Sequence, residues 1–456
     1  MVTIQARTAL LPDGWHNNVS VQIGDDGRIE KVTTQPPETV PDTNVAFLLP
    51  APVNAHSHAF QHAMAGLTER RGENPQDSFW TWRDLMFRFL DQLNPDHIES
   101  ITSFVQMKML EAGYATNVEF HYLHHSPDGT PYAKLSEMAD RIIAASARTG
   151  IGLTMLPVHY QYGGCDFRPL DRGQCRFHTD LDKFTTLCDE VRNSLTKLPD
   201  DTIFGVAPHS LRAVAPDSFA DSRRLADDGP FHMHLAEQIP EVNEVLHYLG
   251  ARPVEWVLDN MDIDDKCCFI HCTQMQQHET TSLAKSGVIA GLCPITEASL
   301  GDGIFDGVNW SKSGGQIAIG SDSNIRISLS EEIRSLEYSQ RLRDHSRAAL
   351  ATTSKSAGRY IFEAITAGGA KAAGRKTGQI ASGQWADLMA LDGDAIEFAG
   401  RNGDTVLDSF AIAGDDQLVC DVWSAGRHLV SGGRHHDHDA ITTAYRATIM
   451  SLKDVV

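Results

Sequence analysis

The chain has 456 residues, of which 41% are hydrophobic and 22% charged, enough apolar content for a large core and too much for a disordered chain. Its 60 acidic residues outnumber 39 basic ones, giving a net charge of −21 with the histidines neutral. That surplus repels a phosphate backbone and excludes general nucleic-acid binding, although a few arginines in a cleft can still hold a small anion.

Residues 1–7 show no basic region leading into an apolar run, and no apolar stretch approaches the ~20 residues of a membrane span. No membrane association is expected. The eight cysteines are scattered between Cys165 and Cys420, several within apolar runs, which fits reduced core residues and a cytoplasmic location.

In chain order, residues 1–48 carry short β-like pieces at 19–23 and 29–32, separated by Asp-Gly turns. Apolar runs ending in polar residues then recur at 47–56, 116–121, 151–158, 202–209, 231–236, 267–271, 288–294 and 316–322, with helix-like stretches between them. Eight buried parallel strands alternating with helices predict an α/β fold, a (β/α)8 TIM-type barrel over residues 49–375. A doubly wound sheet is the alternative, although no glycine-rich dinucleotide fingerprint supports it. Residues 330–340 have helical spacing behind a serine cap. From about 376 the β-like pattern returns at 386–391, 418–423 and 427–430. The two strand-rich ends, 1–48 and 376–456, are expected to pair into one small composite β-sandwich domain. The segment His435-His436-Asp437-His438-Asp439 reads as an exposed polar turn.

The candidate chemistry lies at the strand ends. His56 and His58 close the first run, and alternate strand positions share a face, so both imidazoles can enter the barrel mouth. Alone, such a pair fits a structural role equally well. His234 closes the fifth run and offers a third nitrogen, while Glu237 follows as the chain leaves the strand; His232 has the same parity as His234. The sixth and eighth runs add His271 and Asp322. Imidazole suits zinc and similar divalent ions. Three histidines (His56, His58, His234) and Asp322 leave a coordination position for water, and no lysine stands at a strand end to bridge a second ion. One divalent ion that lowers the pKa of water to about 7 predicts hydrolysis at an electrophilic carbon. Glu237, His271 and Asp322 then handle protons and developing charge.

These residues, in this order, resemble the amidohydrolase superfamily over nearly the whole chain. The segments 53–69, 82–86, 119–125, 207–214, 293–303 and 320–326 are most similar to the formimidoylglutamate deiminase family of histidine degradation. The resemblance implies a zinc hydrolase converting N-formimino-L-glutamate and water to N-formyl-L-glutamate and ammonia. It also implies substrate-binding roles for Gln61, Tyr122 and His209. For so dianionic a substrate, Arg83 and Arg212 are suited to bidentate carboxylate contacts, Arg212 the better placed because it lies three residues beyond His209. Ile295, Ser299, Ser328 and Ser330 depart from the family pattern without replacing a proposed ligand. A homodimer is the expected assembly, and the apolar residues Phe79 and Trp80 fit either a subunit contact or a lid.

Two rivals stand beside this expectation. One is another mononuclear deaminase acting on a nucleobase, adenosyl or guanidino compound; the carboxylate clamp argues against a neutral base. A noncatalytic assembly protein of the same fold would lack some ligands, and none is lacking here.

Overall fold

The computed structural model describes residues 1–35, 40–69 and 79–453; the side chains of residues 79–81, 83 and 84 also lie outside the description. Every side chain of the strands Val53–Ser57, Thr116–His121, Gly152–His159, Phe231–Leu235, Cys267–His271 and Ile289–Leu292 is buried. Such strands have helices on one side and a filled centre on the other, as parallel barrel strands require.

They pair in parallel in the order Phe231–Leu235, Cys267–His271, Ile289–Leu292, Gln316–Ile319, Val53–Ser57, Thr116–His121, Gly152–His159. The fourth strand in sequence is broken into Ile203–Phe204 and Ala207–Pro208, both paired with Gly152–His159. Pro208 has no N–H to give a ladder. Closure nevertheless occurs there: Val206 bridges Phe231 in parallel, and His234 N donates to His209 O at 3.1 Å. The sheet therefore curls into the expected (β/α)8 barrel.

The expected strand at 47–56 is two strands in two sheets. Pro50 and Pro52 interrupt the ladder around Ala51, whose N–H donates instead to Asp387 O at 3.0 Å. Thr43–Pro50 joins a separate mixed sheet, ordered Arg434–His435, Arg427–Ser431, Val419–Ser424, Leu388–Leu391, Thr43–Pro50, Val2–Leu11, Gly14–Ile23, Ile29–Thr33. Both ends of the chain thus build one sheet, including a first strand that the sequence pattern did not reveal. Its own core contains Ile4, Val19, Val21, Leu48, Leu388 and Trp423. Phe47 and Leu49 pack instead with the barrel core.

A buried ion cluster ties sheet to barrel. Arg375 Nη2 lies 2.7 Å from Asp201 Oδ2, its Nε 2.8 Å from Asp387 Oδ2, and Arg427 Nη2 also reaches Asp201 at 2.7 Å. The expected helix at 330–340 runs Leu329–Asp344, capped by Ser328, whose side chain accepts from Glu331 N at 3.2 Å, rather than by Ser330.

The expectation of an exposed turn at 435–439 is corrected. His435 is 2% exposed and bonds Thr149 O through Nε2 at 2.9 Å. His438 Nδ1 lies 2.6 Å from Glu111 Oε1 and opens a final helix, His438–Ser451, that packs on the helix Pro95–Glu111. Among the described residues, no helix is long and apolar enough to cross a membrane.

Candidate metal and hydrolytic site

The first and eighth strands are locked where His56, His58 and Asp322 stand. Ser321 N and Asp322 N donate to His56 O at 3.0 and 2.9 Å, and His58 N donates to Asp322 O at 2.9 Å. This approach depends on Gly320, where a Cβ would lie 2.6 Å from His56 N. The backbone at the neighbouring strand ends enters the left-handed region without glycine: Ala236, His271, Cys272, Asp322 and Asn324 have φ of 51°, 72°, 52°, 46° and 57°. Such strained residues persist only where their surroundings over-determine them, and they gather at functional sites.

Four ligand candidates converge. His56 Nε2 and His58 Nε2 lie 3.4 and 3.3 Å from Asp322 Oδ1, and His234 Nε2 lies 3.2 Å from His56 Nε2. The tautomers explain what this cluster lacks. His58 Nδ1 donates to Phe120 O at 2.8 Å and His234 Nδ1 to His209 O at 3.0 Å, which leaves an Nε2 lone pair on each ring aimed at the centre. Burial, reinforced by neighbouring histidines, pushes the His56 pKa down to about 3 and that of His234 well below its ordinary value; burial likewise lowers His58. Neutral imidazole lone pairs facing a carboxylate at hydrogen-bond range repel unless a cation sits among them. The donor set fits a divalent metal ion. His232 stays outside the cluster, its Nε2 bonded to Ala372 O at 2.7 Å.

A second group faces the first. His271 Nε2 lies 3.8 Å from Glu237 Oε1 and 3.9 Å from Asp322 Oδ2, while its Nδ1 is 3.3 Å from Glu297 Oε1. Burial works against a charged His271, but Glu237, Glu297 and Asp322 outweigh it and hold its pKa well above the usual value. Burial pushes the Glu237 carboxyl up to about 7. Burial also opposes ionisation of Asp322, yet the histidines around it dominate and keep its pKa well below the ordinary carboxylate range. The site thus pairs an ionised acid with a protonatable one, the division of labour that acid–base hydrolysis needs.

Supporting groups were not evident from sequence. Glu241 accepts from Glu237 N at 2.9 Å and from Ala236 N at 3.2 Å, fixing the turn that carries Glu237. Glu297 also accepts from Cys293 N at 2.8 Å, and Glu119 accepts from Ala59 N at 2.7 Å, just after the strand that carries His56. Glu297 could have been found as the acid five residues past the seventh strand; Glu119, mid-strand, carried no such signal.

A cavity opens over this centre, lined by His58, His234, Glu237, His271 and Asp322 and by the expected Gln61, Tyr122, His209 and Arg212. Gln61 Nε2 donates to Tyr122 OH at 2.6 Å, and Gln61 Oε1 is buried without a partner. Arg212 Nε is likewise buried and unpartnered. Tyr160 and Gln174, missed from sequence, add to the wall, with Gln174 Nε2 2.8 Å from Tyr160 OH. Tyr160 follows the third strand directly, so the strand-end rule that found His58 would have found it. Arg83 falls in the helix Phe79–Leu90, but its side chain, like those of Phe79 and Trp80, lies outside the described residues.

Residues 47–429 match the amidohydrolase family, and residues 1–37 match the N-terminal domain of formimidoylglutamate deiminase HutF. The formimidoylglutamate deiminase of Pseudomonas aeruginosa PAO1 is 41% identical, with both chains covered in full. The crystal structure of an amidohydrolase from Brucella melitensis superposes with a TM-score of 0.95 at 42% identity, over 99% of this chain and all of the other. The fold is shared more widely: an adenosine deaminase from Xanthomonas campestris reaches a TM-score of 0.82 at 22% identity, covering 99% of this chain and 98% of its own. The chain belongs to the amidohydrolase family, and within it to the formimidoylglutamate deiminases.

Proposed function

We propose that the enzyme hydrolyses N-formimino-L-glutamate to N-formyl-L-glutamate and ammonia in histidine degradation, with one zinc ion held by His56, His58, His234 and Asp322. The observation that carries this is the joining of that centre to Glu237 and His271 beneath a cavity whose wall holds Arg212 with a buried, unpartnered Nε. Such a donor suits one carboxylate of a dianionic substrate; Arg83 would take the other, and Gln61, Tyr122 and His209 add hydrogen bonds. The full-length likeness to a formimidoylglutamate deiminase supports the same substrate. A neutral nucleobase gains nothing from that arginine.

Zinc is favoured by three imidazoles and one carboxylate, a set that leaves room for water; when bound, the ion polarises water and lowers its pKa to about 7. Ionised Asp322 accepts a proton from the attacking water as its oxygen bonds to the formimino carbon. Glu237 gives its proton to the imino nitrogen, and His271 donates to the developing oxyanion. As the carbon–nitrogen bond breaks, Asp322 returns its proton to the departing nitrogen, and the hydroxyl proton passes to Glu237. Ammonia leaves, the formyl amide remains, and both acids are restored.

The same proposal includes a homodimer, a cytoplasmic location consistent with eight unpaired cysteines, and domain boundaries at 375/376 and, in place of 48/49, at the end of the strand Thr43–Pro50. Ammonia release from N-formimino-L-glutamate, compared with guanine and S-adenosylhomocysteine, tests the substrate. Chelation should abolish turnover and zinc should restore it. Release from guanine or S-adenosylhomocysteine at a higher kcat/KM would overturn the assignment.

A further inference from the structure

The turn that carries Asp322 is strained and must be held from outside. Asp322 and Asn324 both have positive φ. Asn324 Nδ2 donates to Ser57 Oγ at 3.2 Å and Ser321 Oγ donates to Asn324 Oδ1 at 2.6 Å, which pins the side chain. The Asn324 carbonyl is held by one further group: His62 Nδ1 donates to it at 2.6 Å.

His62 belongs to the short 3-10 helix Ala59–Met64, next to Gln61 of the cavity wall. Its ring stacks on Phe104 with centroids 5.5 Å apart, and Phe104 stacks on Tyr445 at 4.0 Å with the rings 11° from parallel. Tyr445 also approaches His62 directly, at 5.6 Å between centroids. Phe104 lies on Pro95–Glu111 and Tyr445 on His438–Ser451. The start of that last helix is fastened independently by the histidine-rich segment, through His435 to Thr149 O, His438 to Glu111 and Asp437 to Arg148 at 2.8 Å. A helix drawn from the far end of the chain is thereby locked in place with one ring against the residue that clamps the catalytic turn.

We propose that the C-terminal helix is a positioning element for the hydrolytic site, acting through the Tyr445–Phe104–His62 stack on the Asp322–Asn324 turn. Rotation of the imidazole is restrained by the two rings, and its N–H is thereby kept on the Asn324 carbonyl. Without the stack the imidazole gains rotamers, the hydrogen bond is populated less, and the turn relaxes away from the geometry that faces Asp322 to the substrate. None of these three residues lines the cavity, so their effect on the reaction passes through position alone.

The inference rests on the deiminase reading for its kinetic arm and on hydrogen exchange for an arm that does not need it. The full-length zinc-loaded enzyme is compared with Tyr445→Leu, Tyr445→Phe and His62→Phe. His62→Phe keeps a stacked ring and loses the N–H; Tyr445→Phe keeps the stack. Tyr445→Leu and His62→Phe should each lower kcat by about tenfold to a hundredfold with KM and zinc content unchanged, while Tyr445→Phe behaves as the parent enzyme. The Asp322 and Asn324 amides, which donate to His56 O and Ser321 O, should exchange faster in the two impaired variants. If Tyr445→Leu lowers the melting temperature but leaves kcat and these amides unchanged, the helix only adds stability and the proposal is wrong. Should Tyr445→Leu fail to fold, His62→Phe decides alone, normal turnover and exchange there overturning it. An inactive parent enzyme would sink the deiminase reading, and the exchange comparison would still judge this one.

Discussion

Asn54 and Ser321, 267 residues apart, hold each other by two hydrogen bonds: Asn54 Nδ2 donates to Ser321 Oγ at 2.7 Å, and Ser321 N donates to Asn54 Oδ1 at 3.2 Å. Both are buried; Asn54 stands two residues before His56 and Ser321 directly before Asp322, at the ends of the two strands that carry most of the proposed ligands. Asn54→Ala leaves a buried N–H without an acceptor, a loss of about 1–3 kcal/mol. It should also weaken zinc binding by about tenfold to a hundredfold, since the partners behind metal ligands set their aim. Thermal unfolding and a competition titration with a zinc chelator measure the two effects separately.

Glu237→Gln keeps the size and most hydrogen bonds of the side chain but removes the exchangeable acid. Zinc content should match the parent enzyme while kcat falls by roughly 10²–10⁴. Metal analysis beside the ammonia assay checks both, and near-normal turnover would remove Glu237 from the mechanism.

Arg212→Lys retains the charge and loses the planar fork. KM for N-formimino-L-glutamate should rise by about tenfold or more, with a smaller change in kcat, because the carboxylate it holds is remote from the reacting carbon. An equal KM in the variant would place the substrate carboxylates elsewhere.

Asp201 is predicted to carry the acid stability of the molecule. Burial alone would raise its pKa, but Arg427 and Arg375 outweigh that and hold it below the ordinary carboxylate value. A depressed native pKa means stability is present above about pH 4 and is lost as the pH falls below it. Asp201→Asn removes one of the two carboxylates that neutralise the fully buried Arg375, leaving Asp387 at 2.8 Å, and should cost about 1.5–3 kcal/mol at neutral pH. Denaturant unfolding at pH 7 and at pH 3.5 tests this: the difference between parent and variant should shrink at the lower pH.

The sequence shows best what the barrel imposes locally. His56, His58, His234, His271 and Asp322 were readable because each ends an apolar run, and a barrel collects strand ends at one mouth. Their converged distances confirm the gathering. What was hidden depends on partners far away in the chain. Glu119 holds Ala59 N, and Arg375 joins Asp201 to Asp387, contacts with no short-range pattern. The final helix was missed because its buried side is sparse, with Ile441 and Thr448 its buried residues. His435 looked solvent-exposed for the same reason: its neighbours in sequence are polar, whereas its neighbours in space are the helix end at Thr149 and the strand Arg427–Ser431.

The strand Thr43–Pro50 lies between Val2–Leu11, already made when it emerges during synthesis, and Leu388–Leu391, which follows more than three hundred residues later. Until that late strand leaves the ribosome, one edge of Thr43–Pro50 has open N–H and C=O groups and the Phe47–Leu49 side lacks its cover. The nascent chain must therefore keep a sticky edge unpaired while the whole barrel is translated, which makes this edge the point where chaperone capture, or aggregation, would act first.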